Sequence, residues 1–378
     1  MPKQRTAFLI HGLVVGGAEK FFISLVNHFY RKGENPLVIM LSDHNPLFHE
    51  IDKGVQSIIL ERKYKYDLFI GKQIKQTLRE NNAGQVFVVG MFSFFMLKLF
   101  FLFEKKIRVI LSLHSTIPRD FKDYLVNLVY FRFFQRKDRV IFICKAQQDY
   151  LRKHYLFTPK QSQLIYNGIN TDHFKLCKGT AAENNGLKQQ LGIPADAKVI
   201  VKVARLFEEK GHNYAVDALD ILHNKFNLPA HLLFVGSGDD EYEAKIRAYV
   251  QQKKLERHIH FIGHQADVRP YHCMADMFTL TSYTTETFSL AALEAMSSGI
   301  PCSLTEIGGA AEMINEKTGA LSRNKDPHSI AESWKTVLEK NYDPVFLHDN
   351  VVRHFALPDM IDHYTAALNP ELTSNPAA

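Results

Sequence analysis

Long apolar runs, paired cysteines and metal-ligand clusters are what this chain of 378 residues has little of. Its most apolar stretch, Met91 to Phe103, is thirteen residues interrupted by Lys98, too few to span a bilayer. Cys144, Cys177, Cys273 and Cys302 are scattered without a C-x-x-C pair. That pattern speaks against a disulfide framework or a zinc site and for reduced thiols in a cytoplasm. The apolar segment Ala7 to Ile10 is too short for a signal peptide and reads as a first buried strand. The glycine loop Gly12 to Gly17 lacks the spacing of the dinucleotide fingerprint, which disfavours a nicotinamide enzyme. Neither a collagen-like nor a solenoid repeat is visible.

What is present suits a large α/β protein of two or three domains, with 46% hydrophobic residues to fill its cores. Short apolar segments alternate with longer helical patterns. Ala7 to Ile10, Asn35 to Leu41, Gln85 to Val89, Arg108 to Leu113, Arg139 to Ile143 and Ser162 to Tyr166 read as strands, and Glu19 to Arg31 reads as a helix. After a polar break the pattern restarts at Lys198 to Val203, His231 to Val235, Ile259 to Ile262, Met277 to Leu280 and Pro301 to Leu304. This alternation predicts parallel sheets covered on both faces, hence two doubly wound domains with ligands in a cleft at the strand carboxyl ends. The expected division is an acceptor-side domain over 1–175, a linker over 176–191, a second domain over 192–345, and carboxyl-terminal helices over 346–378 that pack back on the first.

Charge is unevenly spread. Residues 1–175 hold 27 Lys plus Arg against 14 Asp plus Glu, a net of +13; the remainder holds 19 against 26, a net of −7. Within the basic half, Met91 to Arg108 and Tyr124 to Arg139 interleave aromatic and basic side chains, which suits an anionic membrane surface. A core helix with a solvated basic flank would produce the same pattern. No recognition motif accompanies the charge, so a nucleic-acid partner is not expected.

The most informative segment is Glu286-Thr-Phe-Ser-Leu-Ala-Ala-Leu-Glu294, followed by Ala-Met-Ser-Ser-Gly-Ile-Pro301 and Glu306-Ile-Gly-Gly-Ala-Ala-Glu312. Thr287 or Ser289 can cap a helix that begins near Leu290 and ends at Ser297-Ser298-Gly299. Glu286 then lies before the helix and Glu294 on its second turn, with the amides near Phe288, Ser289 and Leu290 suited to a phosphate. The same spacing also describes an amphipathic helix with a solvated Glu at each end.

This segment resembles the E-x7-E region of GT-B glycosyltransferases of the retaining family 4 type, with its trailing G-x-P and G-G-x-x-E elements. Val203-Ala-Arg205-Leu-Phe-Glu-Glu-Lys210-Gly211 resembles the family's basic diphosphate clamp, Phe234-Val-Gly236-Ser-Gly238 its strand-end glycine turn, and Tyr166-Asn-Gly-Ile-Asn-Thr-Asp-His-Phe174 the element closing its first domain. Gly16-Gly17-Ala-Glu19 is similar to its first glycine loop. The resemblance implies transfer of a sugar from a nucleoside diphosphate sugar, UDP favoured over GDP, to a hydroxyl of a glycan or lipid-linked acceptor with retention. It places Glu286 at the donor sugar, Glu294 at the ribose, and Arg205 and Lys210 at the diphosphate. Gly16, Gly17, Gly236, Gly238, Phe288, Ser289 and Leu290 complete the donor site. His114, after a strand, would contact the transferring sugar, and Ser115 and Thr116 the acceptor. The leaving phosphate itself can take the acceptor proton, so no separate base is needed.

No metal and no other cofactor is expected: Asp239-Asp240 is an adjacent pair, not the D-x-D triplet that binds metal-bound nucleotides in another glycosyltransferase fold. The implied setting is bacterial surface polysaccharide, lipopolysaccharide or glycolipid assembly in the cytoplasm, at the inner face of the plasma membrane. Two departures stand out. The usual Glu-Gly-Phe-Gly opening is Glu286-Thr-Phe-Ser289, and Cys144-Lys145 stands where many members carry serine. A nucleotide-sugar epimerase of the same fold and a non-catalytic membrane-associated scaffold are the alternatives.

Overall fold

The computed structural model describes residues 5–14, 16–62, 67, 69–101, 107–114, 118, 121–177, 181–284 and 286–368. The chain divides into two compact units, one of Met1–Tyr166 with Asp359–Ala378, the other of Asn167–Pro358.

The first unit is built on a parallel sheet of seven strands: β1 (Arg5–Ile10), β2 (Leu37–Met40), β3 (Gln56–Ile59), β4 (Ala83–Val89), β5 (Arg108–Leu113), β6 (Arg139–Phe142) and β7 (Gln161–Leu164), in the order β3-β2-β1-β4-β5-β6-β7. The central strands are buried on both faces, which is why they read as continuous apolar runs. β3 has no such run. It is a four-residue edge strand, Gln-Ser-Ile-Ile, with only partial burial, and sequence patterning passes over it.

The helix Gly17–Arg31 buries Phe21, Phe22, Leu25, Val26 and Phe29, a helical stripe against the sheet. The helix Met91–Phe101 is a core helix: Phe94, Met96 and Leu97 are buried, and Lys98 is fully enclosed with its Nζ 2.7 Å from Asp138 Oδ2. Lys98 also donates to Gln135 Oε1 at 3.1 Å. Of the two origins considered for the basic, aromatic Met91 segment, the structure shows core packing. Among the described residues no helix is long and apolar enough to cross a membrane.

The second unit carries six parallel strands: β8 (Lys198–Val203), β9 (Ala230–Val235), β10 (Ile259–Gly263), β11 (Met277–Leu280), β12 (Cys302–Thr305) and β13 (Gly319–Ser322), in the order β10-β9-β8-β11-β12-β13. β13, Gly-Ala-Leu-Ser at an edge, is again one the apolar pattern misses. Trp334 fills the core completely, its indole N–H donating to Thr279 Oγ1 at 2.9 Å.

Three expectations are corrected. The segment 176–191 is not simply a linker, because Ala181–Gln190 is helical. The helix Pro344–Phe355 stays with the second unit, and only the chain from Asp359 joins the first. There Tyr364 is fully buried, hydrogen bonded to Ser112 at 3.0 Å, while Gln85 and Arg139 donate to the carbonyls of Leu368 and Ala367. Cys177 and Cys273, 96 positions apart, are joined as a disulfide with Cα atoms 5.3 Å apart; Cys144 and Cys302 are free and buried. Tertiary folding makes that pair, and local spacing cannot report it.

Four histidines crowd the start of β9 and β10. His231 Nδ1 lies 3.0 Å from His260 Nε2, and the His258 ring packs against His223 and His231. Burial and then the neighbouring imidazoles push the His231 pKa down to about 4 from 6.5. The folded state therefore resists protonation that the unfolded chain accepts. Stability should be retained above pH 6.5 and decline as the pH falls toward 4. Denaturant midpoints at pH 7.5, 5.5 and 4.5 check this, and His231→Phe should flatten the decline.

Candidate active site

The second unit brings most of the motif residues to the carboxyl ends of its strands. β8 leads through Ala204 into the loop that carries Arg205 and Lys210, and β11 leads through Thr281 and Ser282 to Glu286. Lys210 Nζ donates to Glu286 Oε2 at 2.8 Å, an ion pair with side chains only 14% and 22% exposed. Ser282 Oγ donates to the same carboxylate oxygen at 3.4 Å. Arg205 is exposed, its guanidinium 5.0 Å from the centre of the Phe207 ring. The two cations expected to act together thus differ: one is held by a carboxylate and the other stands on the surface.

Ser289 is the cap of the helix Leu290–Ser297 and accepts from Ala292 N at 3.2 Å. The hydroxyl that replaces the family's glycine is therefore committed to the helix end. Phe288 is buried, 5.6 Å from the Phe355 ring, and Glu294 is half-buried on the second turn. A small concavity, with room for about one water molecule, lies here, lined among others by Ser282, Glu286, Phe288, Ser289, Thr305 and Ile307.

The glycines serve close backbone packing. A Cβ on Gly308, which has φ +52°, would lie 2.2 Å from the Glu286 carbonyl and 2.6 Å from that of Thr287, and Gly309 N donates to Thr287 O at 2.7 Å. Only glycine lets the 306–309 turn sit under the Glu286 segment. The turn at Gly236 and Gly238 presses likewise on the carbonyls of Ala204 and Leu206, so it braces the Arg205 loop from behind.

In the first unit, His114 follows β5. Its Nε2 lies 3.0 Å from Ser112 Oγ, which also meets the Tyr364 hydroxyl, and its ring packs 5.0 Å from Phe21. Burial pushes the His114 pKa down to about 4, so the imidazole is neutral near pH 7. Gly16 is the extended residue before the helix that opens at Gly17. Ser115 and Thr116 lie outside the described residues. Cys144, in place of serine, caps the helix Lys145–Tyr155, its Sγ accepting from Gln147 N at 3.4 Å. Asp239 caps the helix Asp240–Gln252 in the same way. Among the described residues no group of three His, Cys, Asp or Glu is placed to hold a metal ion.

Sequence reasoning passed over Lys202, inside β8. It is wholly buried, donating to the Lys210 carbonyl at 2.7 Å and to Thr281 Oγ1 at 2.9 Å. The one signal was a lysine inside the run Lys-Val-Ile-Val-Lys-Val, where a strand covered on both faces should be apolar.

Two family models match. One, described as Glycosyl transferases group 1, covers residues 184–350, and the other, Glycosyltransferase Family 4, covers residues 15–173. An uncharacterized glycosyltransferase of Methanocaldococcus jannaschii is 28% identical over 207 residues, covering 53% of this chain and 50% of that protein. The UDP-Gal:alpha-D-GlcNAc-diphosphoundecaprenol alpha-1,3-galactosyltransferase of Escherichia coli is 27% identical over 238 residues, 61% of this chain and 60% of that one. The chain thus spans between half and two thirds of the length of these relatives. An Anabaena protein solved in complex with UDP shares the fold at TM-score 0.80 and 18% identity, over 97% of this chain and 100% of that one. With family models matching the two halves in turn and the fold of solved glycosyltransferases over nearly all of its length, the chain belongs to the group 1 glycosyl transferases and has the GT-B fold.

Proposed function

We propose that this protein moves a sugar from a nucleoside diphosphate sugar, a UDP-sugar first, to a hydroxyl of a glycan or lipid-linked acceptor, with retention and without a metal. The observation that carries the reading is the Lys210–Glu286 ion pair beside the Arg205 loop. An arriving diphosphate exchanges with the carboxylate at Lys210, and Glu286 is released to accept hydrogen bonds from the donor sugar. Charge developing on the leaving diphosphate is met by Lys210, once it has exchanged partners in its half-enclosed position, and by Arg205 from the surface. Glu294 serves the ribose, and the amides at Phe288, Ser289 and Leu290 lie along the diphosphate. Gly236 and Gly238 support the cation loop, while Gly16, Gly17 and His114 act from the first unit. As a neutral imidazole, His114 can share a hydrogen bond with the sugar without adding charge.

A UDP carrier and a lipid-linked acceptor are supported by the Anabaena complex and by the name of the E. coli relative. Peripheral contact with an anionic membrane, on the cytoplasmic side, is supported by the helix Phe121–Arg132. It leaves Phe121, Leu125 and Val129 exposed along one stripe, with Lys122 and Arg132 also exposed.

Thermal shift against UDP, GDP, ADP, CMP and NAD, with and without magnesium, tests the donor reading. A ligand at 100 times its dissociation constant adds about 2.7 kcal/mol. One nucleoside diphosphate should stabilise the protein without metal, and Arg205→Ala should remove most of that shift. Silence across all diphosphates would sink the transferase reading in favour of a scaffold.

A further inference from the structure

Among the described residues two lysines are wholly buried, Lys98 and Lys202, and their surroundings differ in kind. Lys98 has a carboxylate, Asp138, at 2.7 Å. Lys202 has only neutral acceptors, the Lys210 carbonyl and the Thr281 hydroxyl, and among the described residues no carboxylate lies within ion-pair distance of it. A lysine buried without a counter-ion is costly to the fold as an ammonium and is driven toward the neutral amine, and an apolar side chain of similar length would fill the space at less expense. A group retained at such a cost beside a candidate site points to a task there.

The geometry points to Lys202 as the buried cation of the diphosphate site, a positioning residue that ties the Lys210 loop to the end of β11 and whose missing counter-charge is the diphosphate itself. This rests on the donor reading above. The bonding is specific: Lys202 holds Lys210 O and Thr281 Oγ1, and Thr281 Oγ1 in turn donates to Gly211 O at 2.7 Å. The carbonyls on either side of the Lys210–Gly211 link are thus pinned to the strand end that continues toward Glu286. The charged and titratable groups that face Lys202 are Lys210, Glu286 and His212. Burial pushes the Lys202 pKa well down and Lys210 lowers it further, while Glu286 acts in the opposite sense. A diphosphate drawing on Lys210 would add negative charge on the side where Lys202 lacks it, favouring the ammonium form.

The test is Lys202→Met in the full chain, with its unfolding midpoint and its affinity for UDP, uridine and inorganic pyrophosphate. The expected result has three parts. The midpoint is equal to or above wild type, UDP and pyrophosphate binding weaken about tenfold or more, and uridine binding is unchanged. A merely structural lysine would give a lower midpoint with equal losses for UDP and uridine, which overturns the proposal, as does unchanged UDP affinity. Pyrophosphate separates the two readings. If wild type ignores UDP but binds pyrophosphate, and the variant does not, the donor reading fails and Lys202 keeps its role. If wild type binds neither, both fail. His212→Leu is the control. Should it alone reproduce the tenfold loss, the buried imidazole and not Lys202 is the group coupled to the anion.

Discussion

Glu286→Gln is expected to lower turnover by about 10²- to 10³-fold while UDP binds as well as before, or more tightly. The direction follows from the pair at the site. In the free protein the carboxylate occupies Lys210 at 2.8 Å, so a ligand phosphate must compete with it. Glutamine keeps the size and can still accept from Ser282, yet it no longer holds the ammonium by charge. Lys210 then becomes more available to the diphosphate, and the sugar loses a charged acceptor. Binding and turnover should therefore move apart, which a general loss of structure would not produce. Calorimetric UDP titration together with sugar transfer, or donor hydrolysis where the acceptor is unknown, decides it. Turnover within about threefold of wild type would reduce Glu286 to an ion-pair partner of Lys210.

The largest loss of stability is expected from Lys98→Met, about 3–5 kcal/mol, because it strands Asp138 in the core. Asp138 is fully buried; its Oδ2 accepts from Lys98 and from Gln135 N at 2.8 Å, while Oδ1 finds no partner. Burial lowers the Lys98 pKa, and the Coulombic pull of Asp138 opposes that shift. The double variant Lys98→Met with Asp138→Leu should recover most of the loss, since two matched apolar groups cost less than one unpaired charge. Urea unfolding followed through the first unit checks both. A change below about 1 kcal/mol would mean that Lys98 reaches water, returning the helix Met91–Phe101 to the surface. The chemically identical change at Lys202, which has no carboxylate within ion-pair distance among the described residues, is expected to leave stability intact. The two lysines thus test one rule with opposite outcomes.

The sequence by itself determined the α/β class, the central strands and the segments that carry the family's motifs. Those depend on residues near one another in the chain: apolar runs such as Phe8-Leu9-Ile10, the helical stripe from Phe21 to Phe29, and the capping serine before Leu290. Edge strands β3 and β13 escaped because an edge is half-solvated and needs no apolar run. Only the tertiary structure decided who meets whom. It joined Lys210 to Glu286 across 76 positions and Cys177 to Cys273 across 96, and it set Gly308 beneath the Glu286 backbone. It also separated Lys98 from Lys202, two lysines in apolar runs that look alike in one dimension. The physical reason is range: periodicity and capping act over a few residues, whereas the partner of a buried charge is supplied by whichever strand or loop the sheet order places beside it.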